Sequence, residues 1–80
     1  MAIATCFIIN DGNDDIVVYV EPEGHDFPLR PDQQIEISQQ FTNVPFTVKV
    51  ARSSKDECML SNWPGDGELS VMLNGENVLE

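Results

Sequence analysis

Two strand-like runs enclose a turn-rich region in residues 16–37, IVVYVEPEGHDFPLRPDQQIEI. The first run ends in a tight turn over residues 21–24, where a proline and a glycine fix the path of the backbone. A short extended piece over residues 27–29 and a second turn over residues 30–32 lead to the other run. There, residues 34–38 alternate apolar and polar side chains, which predicts a strand with one solvated face.

The same period of two continues on both sides of this region. Residues 3–9 are apolar on both alternating faces, which predicts a central strand or one covered on both sides, forming a hairpin with residues 16–21. Further strands are predicted over residues 46–51, 57–61, 69–73 and 77–80. With no helical period of any length, the pattern predicts a single all-β domain over residues 1–80, a compact antiparallel sandwich or partly open barrel of about six to seven short strands.

The charge of the chain is its most unusual bulk property. Fourteen acidic residues stand against four basic ones, a formal net charge of −10 on 80 residues. Such a charge repels nucleic-acid phosphates and anionic membrane surfaces, and it attracts basic proteins. The alternative is that the acidity serves only to keep a small protein soluble.

No set of residues specifies a reaction. Asp11, Asn13 and Asp15 have the spacing that opens a calcium loop, but Ile16 and Pro22 stand where that loop needs glycine and glutamate. An asparagine- and aspartate-rich turn is therefore the better interpretation. His25 is the single histidine and lies in a turn, which favours a solvated side chain over a catalytic or zinc-binding one. We expect no enzyme activity, no catalytic or metal-binding residue and no cofactor.

Cys6 and Cys58 both lie within apolar runs, where a free thiol behaves as a small hydrophobic group. A bridge between them requires neighbouring strands and an oxidising compartment. The first ten residues, MAIATCFIIN, lack the positive region of an export signal, so a cytoplasmic location is expected.

Trp63, in the turn Asn-Trp-Pro-Gly, has two interpretations. It can be an exposed anchor for a partner protein, because tryptophan contributes heavily to interface energy. We favour the other, in which it fills the core of a small sandwich.

The central region resembles a group of short uncharacterised bacterial β proteins that share an acidic Glu-Pro-x-Gly turn between two strands. The similarity rests on residues 20–24, followed by Leu29, Pro31 and residues 35–37. It implies a compact β fold and brings no activity with it. By size and charge alone, the chain is also similar to small acidic anti-CRISPR and toxin-immunity proteins, which implies an inhibitor that occupies a basic groove meant for nucleic acid.

These observations favour a non-enzymatic, acidic inhibitor or interaction protein. It is expected to present a polyanion mimic to a basic, nucleic-acid-handling protein and to bind neither nucleic acid nor membrane directly. Alternate residues of a strand approximate the spacing of phosphates, at roughly 3.3 Å per residue. The predicted partner-binding residues are six acids: Asp11, Asp14, Asp15, Glu21, Glu23 and Asp26.

Two alternatives stay open. One is a small-molecule or metal-binding β module that uses the turn around His25. The other is an accessory structural subunit whose exposed strand edge pairs with a larger protein.

Overall fold

The computed structural model describes residues 2–55 and 57–79, which form an all-β structure. The strands are β1 (Ala2–Ile9), β2 (Ile16–Val20), β3 (His25–Leu29), β4 (Gln34–Phe41), β5 (Thr47–Arg52), β6 (Cys58–Trp63), β7 (Leu69–Leu73) and β8 (Glu76–Asn77). None of the described residues belongs to a helix that could cross a membrane.

The strands form two four-stranded sheets. The first sheet has the order β1-β4-β7-β8 and is antiparallel throughout. The second has the order β3-β2-β6-β5 and is mixed, because β2 and β6 run parallel, with Val18 opposite Leu60. Parallel neighbours cannot be joined by a tight turn, and here a long excursion through the other sheet separates them.

The core lies between the sheets and is built from alternate residues of their central strands. In β4, Ile35 and Ile37 point inward, and Ile37 lies opposite Val71 of β7 on the same face. Burying these side chains stabilises the fold by roughly 1.5–3 kcal/mol each. The buried hydrophobic residues are Val18, Val20, Leu29, Ile35, Ile37, Leu60 and Val71.

The structure confirms the all-β class and the two-sheet arrangement, and it adds one strand to the predicted number. The extended piece over residues 27–29 is the second half of a full strand, β3, which pairs with β2. Pro28 is compatible with this pairing because β3 is an edge strand, with one side free of ladder hydrogen bonds.

The prediction for residues 3–9 was wrong in two respects. They do not form a hairpin with β2, because β1 pairs with β4 in the other sheet, with Cys6 opposite Ile37. Nor is β1 central: it is the edge strand of its sheet, and Ile3, Phe7 and Ile9 on its outer face are 68%, 59% and 57% exposed. Apolar residues on both faces of a strand therefore did not mean burial on both faces.

Candidate functional site

The six acids predicted to bind a partner lie in two groups at opposite ends of β2. Asp11, Asp14 and Asp15 occupy the loop before the strand, and all three are exposed. Glu21 and Glu23 follow the strand in the turn over residues 21–24. Asp26 lies on β3 opposite Tyr19, and it too is exposed.

These six residues do not form one continuous patch. The five residues of β2 put roughly 17 Å between the loop at its start and the turn at its end. We call the end that holds residues 21–24, 42–46 and 64–68 the cleft end, and the opposite one, with residues 10–15 and 30–33, the far end. Each group must be considered as a separate surface.

Basic residues are concentrated at the far end. Arg30 directly follows β3, Arg52 is the last residue of β5, and Lys55 lies in the loop after it. The fourth basic residue, Lys49, lies within β5. Three of the four basic residues therefore lie at the far end, and Lys49 lies beside Trp63, which precedes the cleft-end residues 64–68.

Two adjoining clefts open at the cleft end. The turn cleft has a volume of about 330 Å³, and its lining includes Glu21, Glu23, His25 and Glu68. The larger edge cleft, of about 750 Å³, is lined by residues that include Gln39, Asp66 and Glu68. The two clefts share Gly67, Glu68, Leu69 and Leu79, and the described lining of neither includes a lysine or an arginine.

Gln39 contributes a buried hydrogen-bond acceptor to the edge cleft. Its side chain is 2% exposed, and its Nε2 donates to the carbonyl of Gly67 over 3.0 Å. Its Oε1 accepts no hydrogen bond from the described residues. An unpaired buried acceptor costs free energy.

The segment Gly65-Asp66-Gly67 holds the loop over residues 64–68 in place. A Cβ atom at Gly65 would lie 1.9 Å from the carbonyl oxygen of Val44, and one at Gly67 would lie 1.9 Å from that of Gln40. Both positions therefore need glycine because the backbones approach so closely. The same contact fixes Glu68, which lines both clefts.

Asp66 clamps the neighbouring loop from its exposed position. Its carboxylate accepts hydrogen bonds from the backbone N–H groups of Thr42 at 2.9 Å, Asn43 at 2.7 Å and Val44 at 3.0 Å. The hydrogen bonds from Asn43 and Thr42 are the main causes that lower the pKa of Asp66 below its ordinary 3.8. We therefore assign Asp66 a structural role in shaping the edge cleft.

The loop over residues 11–15, whose spacing resembles the start of a calcium loop, is organised by Asn10. The Oδ1 of Asn10 accepts from the N–H of Gly12, and its Nδ2 donates to the carbonyls of Asp14 and Leu29. This is an asparagine-directed turn. Among residues 2–55 and 57–79, no three His, Cys, Asp or Glu side chains are grouped so as to hold a metal ion.

The two cysteines are free thiols in different sheets, Cys6 in β1 and Cys58 in β6. The condition for a bridge, neighbouring strands, is not met. His25 is exposed at the start of β3 and borders the turn cleft.

The prediction that Trp63 fills the core was wrong. The side chain is 39% exposed and lies at the end of β6, where the Nζ of Lys49 is 5.3 Å from its ring centroid. This is a cation–π contact between neighbouring strands. Leucine, isoleucine and valine fill the core instead.

Sequence reasoning missed Glu68 and Gln39 as residues of the candidate site. Glu68 lies next to a dense turn signal, but nothing in the sequence shows that its loop meets the turn over residues 21–24. Gln39 sits at an inward position of β4, and a polar residue at such a position was the available signal. Comparison of the chain with protein-family models, curated proteins and solved structures gave no match in any of the three.

Proposed function

We propose that this chain is a non-enzymatic inhibitor that acts in the cytoplasm by binding a basic, nucleic-acid-handling protein. Its form would be that of an anti-CRISPR or toxin-immunity protein, in which carboxylates replace the phosphates of the natural ligand. The proposal rests on the net charge of −10 and on one local observation: carboxylates border two joined clefts without a lysine or arginine in their described lining.

Of the two acidic groups, we assign the binding surface to the one at the cleft end. Glu21 and Glu23 come from one turn and Glu68 from another, so three carboxylates flank a concave surface. Concave sites with low-dielectric walls strengthen the field of their charges. Asp11, Asp14 and Asp15 form a second acidic surface at the far end, closer to Arg30.

The edge cleft suits the end of a lysine or arginine side chain. Ammonium and guanidinium groups only donate hydrogen bonds, and the carboxylate of Glu68 in the lining only accepts them. The opposite charges would make this a charge-assisted hydrogen bond. Such a side chain is what a nucleic-acid-binding groove presents to phosphates.

The test compares two triple variants of equal charge. Glu21→Gln/Glu23→Gln/Glu68→Gln alters the cleft end, and Asp11→Asn/Asp14→Asn/Asp15→Asn alters the far end. Each removes three carboxylates and changes the formal charge from −10 to −7. Partners are captured from a nuclease-treated host lysate, and the captured protein is then titrated with each variant in competition with its nucleic acid.

We expect the wild-type chain to displace nucleic acid from the captured protein, with an affinity that falls steeply as salt rises. The cleft-end variant should lose this activity, and the far-end variant should retain most of it. Equal losses in both variants would show a general charge effect instead of a site. An affinity independent of salt, or a partner that still binds nucleic acid normally, would refute the proposal.

A second candidate function is a small-molecule module at the turn cleft. Its volume of about 330 Å³ and the presence of His25 in its lining fit a small organic ligand. A rise in melting temperature with one member of a metabolite panel, abolished by His25→Ala, would support this function. No shift across that panel and a set of divalent ions would remove it.

A further inference from the structure

The outer edge of β1 differs from the other sheet edges of the molecule. β3 carries Asp26 and Pro28, β5 carries Lys49 and Arg52, and β8 is only two residues long. Charges, prolines and short length are the usual means of keeping an edge strand from pairing. β1 has eight residues, AIATCFII, without a charge, a proline or a glycine.

The backbone of β1 offers hydrogen bonds at this edge. The N–H of Asn10 donates to Gln33 and its carbonyl accepts from Asp32, so the backbone of Asn10 points toward the β4 side. Because backbone groups alternate along a strand, the even residues of β1 bond to β4 and the odd residues point away from it. The odd residues are Ile3, Thr5, Phe7 and Ile9, and no strand of the described chain lies beyond them.

We propose that β1 pairs with β1 of a second copy of this chain, antiparallel about a two-fold axis, to join two four-stranded sheets into one of eight strands. The pairing rests on a different observation from the proposed inhibitor function, and the two surfaces share Ile3, which also lines the edge cleft. It is an isologous interface, which requires a surface complementary to itself.

Among the self-complementary registers that set odd residues opposite odd residues, the one centred on Cys6 pairs all of residues 3–9. If Cys6 lies opposite Cys6 of the second copy, Ile3 faces Ile9 and Thr5 faces Phe7, and each of these odd residues exchanges both backbone hydrogen bonds. Outer faces then meet outer faces, with apolar side chains opposite one another. A shift by one residue would place inner against outer faces and turn the free backbone groups away from each other.

For two copies of the chain, the charge distribution favours the antiparallel direction. The acidic loop over residues 11–15 directly follows β1, so a parallel pair would place two such loops side by side. In the antiparallel pair they lie at opposite ends of the strand, roughly 25 Å apart, beyond the Debye length of about 8 Å at physiological salt. The nearest acid on the outer face is Glu36 of β4, opposite Phe7, and it is separated from its counterpart by roughly 14 Å, three strand spacings.

The first test measures the mass of the full chain in solution by sedimentation across a range of concentrations. We expect a monomer–dimer equilibrium that shifts toward the dimer as salt rises, because screening weakens the repulsion between two acidic copies. Thr5→Pro removes an N–H at the open edge without removing a bond to β4, and it should weaken association by roughly tenfold or more. Thr5→Val keeps the N–H and is the matched control.

The second test uses the cysteines to report the register. In the proposed pair, the two Cys6 residues form a non-hydrogen-bonded pair with Cα atoms about 4.5 Å apart, within disulfide range. The Cys58→Ser variant should therefore cross-link to a dimer under mild copper-phenanthroline oxidation, and the Cys6→Ser variant should not. This readout serves even if Thr5→Pro fails to fold.

The two tests separate this proposal from the inhibitor function. A wild-type chain that stays monomeric at every concentration and salt would overturn the pairing, as would a monomer that pairs only with a different protein. A dimer that cross-links through Cys58 and not through Cys6 would also overturn it. None of these outcomes affects the displacement of nucleic acid measured with the cleft-end variant.

Discussion

Asn10 is a buried residue whose hydrogen bonds connect segments that are not paired as strands. It is 1% exposed, and it links the loop after β1 to the end of β3 through its side chain and to residues 32–33 through its backbone. The residue thus connects the end of β1 in one sheet to the end of β3 in the other. Its two side-chain donors and its acceptor are all used, as buried polar groups require.

Replacing Asn10 with alanine should destabilise the protein by about 2–3 kcal/mol. The substitution leaves the carbonyl of Leu29 and the N–H of Gly12 without their partners. Urea denaturation of Asn10→Ala would measure the loss. Asn13→Ala, at an exposed position of the same loop, should stay within about 0.5 kcal/mol of the wild type.

Asp66 should make the stability of the protein depend on pH. Its pKa is lowered from 3.8 in the folded chain, so its contribution is fully present above that value and is lost as the pH falls through the folded pKa. Asp66→Asn should therefore be less stable than the wild type at neutral pH, and the difference should narrow below pH 3.8.

The measurement is urea denaturation of both proteins from neutral to acidic pH. Asp14→Asn, an exposed position in the far-end loop, changes the charge equally and serves as the control. A difference between Asp66→Asn and the wild type that stays constant down to acidic pH would contradict the role assigned to the carboxylate.

At the scale of elements, the strands follow from the sequence but their partners do not. The alternation of Ile35 and Ile37 with polar neighbours marks β4 unambiguously, since only a half-buried strand has this period. Nothing comparable states that β1 pairs with β4 or that β2 and β6 are parallel, because pairing is decided by contacts far apart in the chain. The apolar outer face of β1 led to the wrong prediction of a central strand, because the position of a strand in its sheet is also decided by contacts far apart in the chain.

The candidate site could be predicted only in part. Glu21 and Glu23 were identified because a proline-glycine turn must expose its acids. Their proximity to Glu68 depends on how the loop over residues 64–68 rests on residues 40–45, which is a tertiary contact. The sequence predicts a turn at Gly65-Asp66-Gly67, but it does not predict that this segment packs against residues 40–45.

The docking of that loop can be tested at Gly65. Gly65→Ala places a methyl group against the carbonyl of Val44 and should destabilise the protein by about 1–3 kcal/mol, because two backbones must move apart. Gly12→Ala is the matched control, since its Cβ would meet only Asn10 Oδ1 at an ordinary 3.4 Å. Thermal denaturation of the two variants would compare them, and equal melting temperatures would refute the close contact.

For the whole molecule, one charge distribution gives two opposite responses to salt. Carboxylates at the cleft end attract a basic partner, so added salt should weaken that complex. The uncharged edge of β1 meets its copy despite a charge of −10 on each chain, so added salt should strengthen that pair. A salt series on one sample thus distinguishes the two surfaces.

The acidity of the chain also limits association through the uncharged edge of β1, because two acidic copies repel each other. Near its isoelectric point of about 4.1, the chain carries almost no charge while its strand edge is unchanged. The mutual repulsion that opposes the pairing of two copies is then almost gone, while the two-fold contact still closes after two copies. Acidification should accordingly shift the equilibrium from monomer to dimer, as added salt does at neutral pH.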